Sequence, residues 1–426
     1  MKVGMITLGC DKNRVDAEKI LANLTDYGHI ITPNPSEADA IIVNTCGFID
    51  ASKSESIDAI MDMAKYKEIG VLKTLIVSGC LAERYKDELY QIDGVDHVIP
   101  LIDNNKIVQY LDNFDKIASK HSGRVLTTPE HYAYIKIADG CDNCCTYCAI
   151  PKIRGRYKST PIDEVVDEAQ RLYDEYPTKE LIVVAQDTTR YGVDLYGQPK
   201  IVELLSRLCK LDYQWIRLLY CYPEQVTEEL ITFIKETPKM CHYIDMPLQH
   251  INDHILKKMN RRTTKSEILS KISMIKSIVP DISIRSSFII GFPGETQEQF
   301  DELCDFISKG YIDNAGFFGY SREEGTFAYN LKNKLPKRII NQRLKKIRDI
   351  QSAVMMEKSL SKIGSVQKVI YEGIDYDKQC FVGRTQYQAP DIDTKVYFTS
   401  DDIVEIGKYY DVKINDAYYD LIGVRL

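Results

Sequence analysis

Three times within the first 80 residues, an apolar run of strand length ends at a cysteine and gives way to a helical pattern. Lys2–Leu8 leads to Gly9-Cys10, Ala40–Asn44 to Thr45-Cys46, and Thr74–Val77 to Ser78-Gly79-Cys80. The stretches that follow are Val15–Thr25, with Ala17, Ile20, Leu21 and Leu24 at helical spacing, then Lys53–Tyr66 and Glu83–Tyr90. Strand alternating with helix predicts a parallel α/β sheet. Its carboxyl strand edge is where such sheets place ligands. Position alone unites Cys10, Cys46 and Cys80. A shared metal site and three small packing residues in tight turns both fit that position.

The chain has 426 residues, room for about three domains. No run approaches the roughly 18 apolar residues of a membrane span. The opening MKVGMITLGC has the look of a lipoprotein leader, but its apolar stretch is short and DKNR follows at once. A cytoplasmic chain is expected, where clustered cysteines bind metal or do chemistry more often than they form disulfides.

A polar linker is read over 111–131. Beyond it, strand candidates recur at Tyr134–Ala138, Leu181–Gln186, Trp215–Tyr220, Tyr243–Met246, Ser283–Ile290 and Ala315–Tyr320. Helices between them have recognisable starts: Thr160-Pro161, and the capping boxes Thr264-x-x-Glu267 and Thr296-x-x-Gln299. Six strands are too few for a full eight-fold barrel, so a partial (β/α)6 barrel of the TIM type is predicted. From Leu360, short apolar runs broken by glycines suggest a small antiparallel, OB-like β-barrel of five strands.

The sharpest local signal is Gly140-Cys141-Asp142-Asn143-Cys144-Cys145-Thr146-Tyr147-Cys148. It contains Cys-x3-Cys-x2-Cys at Cys141, Cys145 and Cys148. Three thiolates on one loop can hold three irons of a cubane; full ligation takes four, so one iron would stay open. Zinc is the competing reading, through two Cys-x2-Cys pairs, but zinc sites usually separate such pairs by a dozen or more residues. Cys144 is then a bystander or an occasional ligand. Cys209, Cys221, Cys241, Cys304 and Cys380 read as packing residues.

At these residues the chain resembles a known family. Cys-x3-Cys-x2-Cys on the first strand-loop of a partial barrel resembles the radical S-adenosylmethionine enzymes. LGCDKNRVDAE, NTCGFIDASKSES and SGCLAERY are similar to the N-terminal domain of the methylthiotransferases. The tail, with GRTQYQAPDID and YYDLIG, is similar to their TRAM domain. The implied division is 1–115, 127–358 (radical core) and 360–426. YIDMPLQHINDHILKKMNR and YSREEGTFA resemble the branch that modifies an aspartate of ribosomal protein S-twelve. The alternatives are a tRNA (adenosine) methylthiotransferase and, in another class, a non-catalytic iron–sulfur or RNA-binding protein.

The resemblance implies two 4Fe–4S clusters and S-adenosylmethionine as both radical source and methyl donor. Cys141, Cys145 and Cys148 would hold the cluster whose open iron chelates the cofactor, which on one-electron reduction yields a 5′-deoxyadenosyl radical. That radical would take a hydrogen from the β-carbon of the aspartate, a carbon that no acid or base makes nucleophilic. Cys10, Cys46 and Cys80 would hold an auxiliary cluster carrying the sulfur. Gln186, Arg217, Gln249, Arg285 and Gly291 are the candidates for the cofactor pocket. Each has a plainer reading: a satisfied barrel residue for Gln186 and Gln249, an inward arginine needing a carboxylate such as Asp245 for Arg217 and Arg285, and an ordinary strand-to-helix turn for Gly291.

Charge bears on the partner. Lys and Arg number 55 against 62 Asp and Glu, a net charge of −7. Residues 360–426 carry 8 basic and 11 acidic side chains. A tail built to grip phosphates should be basic, whereas an acidic one suits a basic ribosomal protein. Residues 337–348 carry six basic side chains and no acid, either a ribosomal RNA contact or a solvated helix face. An electron donor is a further expected partner, and a monomer is the expected state.

Overall fold

The computed structural model describes residues 1–112 and 123–426. The middle of the linker read over 111–131 lies outside the described residues. The chain forms two compact units, one of Met1–Thr128, Tyr134–Lys158 and Ser321–Tyr329, the other of Pro129–Ala133, Ser159–Tyr320 and Asn330–Leu426.

In the first unit a five-stranded sheet runs in the order Ile30–Ile31, Lys2–Thr7, Ala40–Thr45, Thr74–Gly79, His97–Pro100. Every pairing is parallel. Ala40–Thr45 is buried along its whole length, which explains its unbroken apolar run, because parallel strands are covered on both faces. Ile41, Val43, Leu75 and Val77 pack against Ile60, Met63 and Ala64 of helix Asp50–Glu68. On the other face Val3, Ile42 and Ile76 meet Ile20, Leu21 and Leu24 of helix Asp11–Asp26. The third predicted helix begins earlier and breaks in two, Cys80–Arg84 and Lys86–Leu89. Residues 123–128 are fastened rather than loose. The Arg124 guanidinium binds the buried Glu18 carboxylate, which also accepts Thr127 N–H at 2.9 Å.

In the second unit parallel strands Glu180–Val184 and Trp215–Leu218 pair with each other, and Glu180 N–H binds His131 O, beside the opening of strand Tyr132–Lys136. Tyr243–Asp245, Ser283–Ile290 and Asn314–Gly319 form a second parallel group. Cys241 N–H to Ile216 O (2.9 Å) and Cys221 N–H to Asp245 O (2.8 Å) join the two groups. The six strands thus form the partial barrel expected. Both capping boxes are present. At Thr160-Pro161 the expectation fails: Pro161 is itself the N-cap of Ile162–Glu175, and Ile162 N–H is bound by the Tyr196 hydroxyl at 3.1 Å.

The tail is a closed five-stranded barrel of Val366–Asp375, Cys380–Arg384, Val396–Thr399, Tyr409–Ala417 and Leu421–Arg425. Four of its seams are antiparallel. The fifth, Val396–Thr399 against Leu421–Arg425, is parallel, a detail the sequence pattern did not carry. Tyr371 belongs to its core with Val369, Phe398 and Ile414, whereas Tyr376 and Tyr418 are exposed.

A buried charge network fastens this tail to the barrel. Glu180, fully enclosed, accepts Arg217 Nε at 2.6 Å and Arg384 Nη2 at 2.7 Å. Arg384 also binds Glu372 at 2.7 Å, and His131 meets that carboxylate at 3.0 Å. Burial alone would push the Glu180 carboxyl up; the two guanidiniums outweigh it and hold it at about 2. Removing one partner of such a network leaves uncompensated buried charge, at a cost of about 3–5 kcal/mol. Glu180→Ala is therefore expected to lower the unfolding midpoint in a denaturant titration by about that free energy. The depressed pKa adds a pH signature. Its stabilisation is complete above the ordinary carboxylate range near 4.5 and is lost as pH falls toward 2, so wild type should show an acid-unfolding component that Glu180→Gln lacks.

Candidate functional site

The three cysteine turns of the first unit are packed closely, the first against the Cys46 side chain and the second against the backbone of the third. A Cβ on Gly9 would lie 2.9 Å from Cys46 Sγ, and one on Gly47 would lie 2.9 Å from Leu81 N and 3.0 Å from Cys80 C. Neither site has room for a side chain, so the turns of Cys10, Cys46 and Cys80 meet at one strand edge. Cys10 is the N-cap of Asp11–Asp26, and Cys80 opens Cys80–Arg84. The fully buried Ser56 hydroxyl accepts Cys46 N–H and donates to Cys46 O, both at 3.0 Å. Asn13 donates to Leu8 O (2.8 Å) and Thr45 O (3.2 Å), while Asn44 donates to Asn13 O at 2.9 Å. These buried amides fix the turns on either side of the cysteines.

The second cysteine loop belongs to the same unit. Gly140 has φ +74°, and a Cβ there would fall 2.2 Å from Arg156 O; only glycine fits. Cys141 N–H bonds to Gly155 O at 3.2 Å, Tyr157 N–H to Asp142 at 3.2 Å and Cys148 N–H to Cys145 O at 3.0 Å. The loop therefore closes on residues 155–157. Cys141 and Cys145 are buried, Cys148 is half-buried, and Cys144 is exposed with φ +52°. Among the described residues, no three His, Cys, Asp or Glu side chains converge on a single metal ion. A cubane takes one thiolate per iron and needs wider separation.

The two cysteine sets are adjacent. Cys80 packs with Ala149 and Ile153, on and beside the short helix Ile150–Ile153 that follows Cys148. Arg154 closes that helix; its guanidinium lies 3.6 Å from Cys80 Sγ and 2.9 Å from Asp16, and forks onto both Asp139 oxygens at 3.0 Å. Lys136 bridges the same two carboxylates. Burial pushes the Asp139 carboxyl up, but Lys136 and Arg154 outweigh it and hold it well below the usual range.

The YSREEGTFA segment has a structural role that the sequence did not disclose. Glu323, almost wholly buried, binds Lys53 at 3.1 Å and Arg84 at 2.9 Å. Arg84 in turn donates to Gly47 O at 2.6 Å, beside Cys46. Ala328 N–H reaches Thr146 O, inside the second cysteine loop, at 2.8 Å. One segment thus braces both cysteine sets. Arg84 and Glu323 carried no sequence signal beyond lying within quoted motifs, and Arg154 lay outside them.

The five pocket candidates, in the second unit, separate into two groups. Gln186, Gln249 and Gly291 follow the carboxyl ends of barrel strands. Gln249, at φ +71°, donates N–H to Ser287 O at 2.8 Å. Gly291 N–H is taken by Glu295 Oε2 at 2.8 Å, and Glu295 binds Arg343 at 2.5 Å, so the turn closes on itself. Arg217, in strand Trp215–Leu218, and Arg285, near the amino end of Ser283–Ile290, both face the tail. Arg217 is fully enclosed between Glu180 and Gln386 O. Arg285 meets Asp245 at 3.3 Å and Asp393 at 3.4 Å. Each of these guanidiniums is held in an ion pair with a buried carboxylate, as an inward-facing strand arginine requires. His250, fully buried, is held down to about 4, chiefly by burial, and its Nδ1 accepts Asn252 N–H at 3.0 Å.

Comparison with known proteins agrees with this architecture. Residues 2–100 match the Uncharacterized protein family UPF0004, 135–307 the Radical SAM superfamily and 363–425 the TRAM domain. The chain is 46% identical over 440 residues to the ribosomal protein uS12 methylthiotransferase RimO of Clostridium acetobutylicum, covering 100% of this chain and 98% of that one. It is 43% identical over 438 residues to the RimO of Lachnoclostridium phytofermentans, covering 99% of each.

The chain belongs to the uS12 methylthiotransferase family.

Its fold is similar to the radical S-adenosylmethionine methyltransferase TsrM from Kitasatospora setae, with a TM-score of 0.54 over 75% of this chain and 74% of that one, at 13% identity. Membership of the RimO family favours the ribosomal-protein branch over the tRNA branch read as its alternative.

Burial pushes the Cys80 thiol up to about 12 against the pull of Arg154, and it raises Cys46 as well. Without metal, the folded chain keeps the Cys80 proton that the unfolded chain gives up near 9, so stability falls as pH rises through that window. The apo protein is expected to lose thermal stability between about pH 9 and pH 11 more steeply than its Cys80→Ser variant, as read by circular dichroism melts.

Proposed function

We propose that this chain methylthiolates the β-carbon of an aspartate in ribosomal protein uS12. The observation that carries the reading is end-to-end identity with the RimO family, joined to the meeting of three cysteine turns at one sheet edge beside the Cys141–Cys148 loop.

The donor set fits two iron–sulfur clusters. Cys141, Cys145 and Cys148 would hold one and Cys10, Cys46 and Cys80 the other, each three-thiolate set leaving an iron open. When bound, these clusters and S-adenosylmethionine supply the one-electron chemistry that reaches an unactivated carbon. The chain's own part is to bury, orient and brace. Buried Cys46, Cys80, Cys141 and Cys145 keep water from the sulfurs. Ser56 and Asn13 fix the first set of turns, Gly140 and Asp142 the second loop, and the segment that carries Glu323 and Ala328 braces both. Gln186, Arg217, Gln249, Arg285 and Gly291 are the candidates to line the cofactor pocket.

The substrate surface is assigned to the acidic tail barrel, whose excess of carboxylates suits a basic protein. Within helix Lys337–Leu360 the basic run is divided. Arg343 turns inward to Glu295, whereas Lys346 pairs with Asp301 and Arg348 donates to Phe317 O while staying exposed. Lys337, Arg338 and Lys345 stay exposed and are the candidates for ribosomal RNA contact. An external electron donor, a monomeric state and a cytoplasmic location complete the reading. No helix among the described residues is long and apolar enough to cross a membrane.

In a deletion strain, mass spectrometry should find uS12 without its methylthio increment and tRNA nucleosides unchanged. Loss of a tRNA modification with uS12 intact would falsify the proposal. In the reconstituted enzyme, Cys141→Ala should abolish reductive cleavage of S-adenosylmethionine. Cys46→Ala should retain that cleavage while bound iron falls from two clusters to one.

A further inference from the structure

We infer that Arg154 is a positioning residue for the Cys80 sulfur and that its N–H donation sets the reduction potential of the cluster held by Cys10, Cys46 and Cys80. This rests on the ligand sets given above.

Three observations carry it. Arg154 Nη2 points at Cys80 Sγ from 3.6 Å, a donor–sulfur hydrogen bond. The guanidinium has no freedom to leave: Asp139 holds Nη1 with both oxygens at 3.0 Å, Asp16 holds Nη2 at 2.9 Å, and the side chain is 1% exposed. Finally, the local charge is balanced, with Arg154 and Lys136 set against Asp16 and Asp139. The quartet is neutral overall, and the member nearest the sulfur is Arg154, which acts on it through its charge and its directed N–H together. Hydrogen bonds to cluster sulfurs withdraw electron density from iron and raise the potential. In a site this dry the bond is stronger than it would be in water.

The quartet also joins two parts of the sequence. Asp16 lies on the helix that begins after Cys10 and Arg154 just past the helix that follows Cys148. A residue carried by one cysteine loop thereby acts on a sulfur of the other set. Lysine could fill the charge but not the geometry, because an ammonium lacks the planar fork that engages Asp139, Asp16 and sulfur together.

The test uses the full chain with C141A, C145A and C148A, reconstituted anaerobically so that a single cluster remains, and follows its EPR signal in a redox titration. Arg154→Gln in that background should shift the midpoint to lower potential and alter the EPR line shape, with iron held at one cluster per chain. Arg154→Lys should restore the charge but only part of the shift. Because Arg154→Gln leaves two carboxylates facing one lysine, the balanced variant Asp16→Asn/Arg154→Gln is measured beside it and should show the same lowered midpoint. An unchanged midpoint in the balanced variant, with the cluster present, overturns the role of Arg154 alone. Absence of any cluster from the triple-alanine background overturns the ligand assignment, and this inference with it.

Discussion

The cysteine-bearing unit depends on one buried guanidinium. Arg154 is held by Asp16 and Asp139 and lies against Cys80. A charge so enclosed is tolerable only when paired and hydrogen-bonded. Meeting that condition draws together a helix that begins near residue 11, a strand end near 139 and a loop near 154. The cysteines those segments carry come together as a consequence. Iron–sulfur chemistry needs sulfurs delivered from distant points in the chain to one dry place, and a buried ion pair is a directional way to deliver them.

The second unit uses the same device for a different end. Glu180 receives Arg217 from the neighbouring strand and Arg384 from the tail barrel, while Arg285 bridges Asp245 and Asp393. Both arginines that sequence reading offered to a cofactor make contacts that fasten barrel to tail. A strand arginine pointing inward needs a carboxylate. The sequence shows the need but not which carboxylate meets it, because Asp393 and Gln386 are far along the chain and reach the barrel only when the tail folds back.

Much was legible because it is local. The apolar runs, the two capping boxes and the Cys-x3-Cys-x2-Cys loop each depend on neighbours within a few residues. Cys144 could not be told from its companions by spacing, yet the backbone sets it apart in an exposed left-handed conformation. The basic run at 337–348 read as one patch because sequence counts charges without their directions. Folding sends Arg343 inward to Glu295 and leaves Lys337, Arg338 and Lys345 outside.

By itself the sequence determined the alternation of strand and helix, the cysteine-ended turns and the five-stranded tail, since hydrophobic period and turn chemistry act over short range. Only the tertiary structure decided that Gly9 makes room for Cys46 and Gly47 for the turn at Cys80, that Arg154 meets Cys80, and that the segment of Glu323 and Ala328 braces both cysteine sets. Those contacts join residues tens to hundreds of positions apart. Their energies come from burial and paired charge, and both exist only once the chain has closed around them.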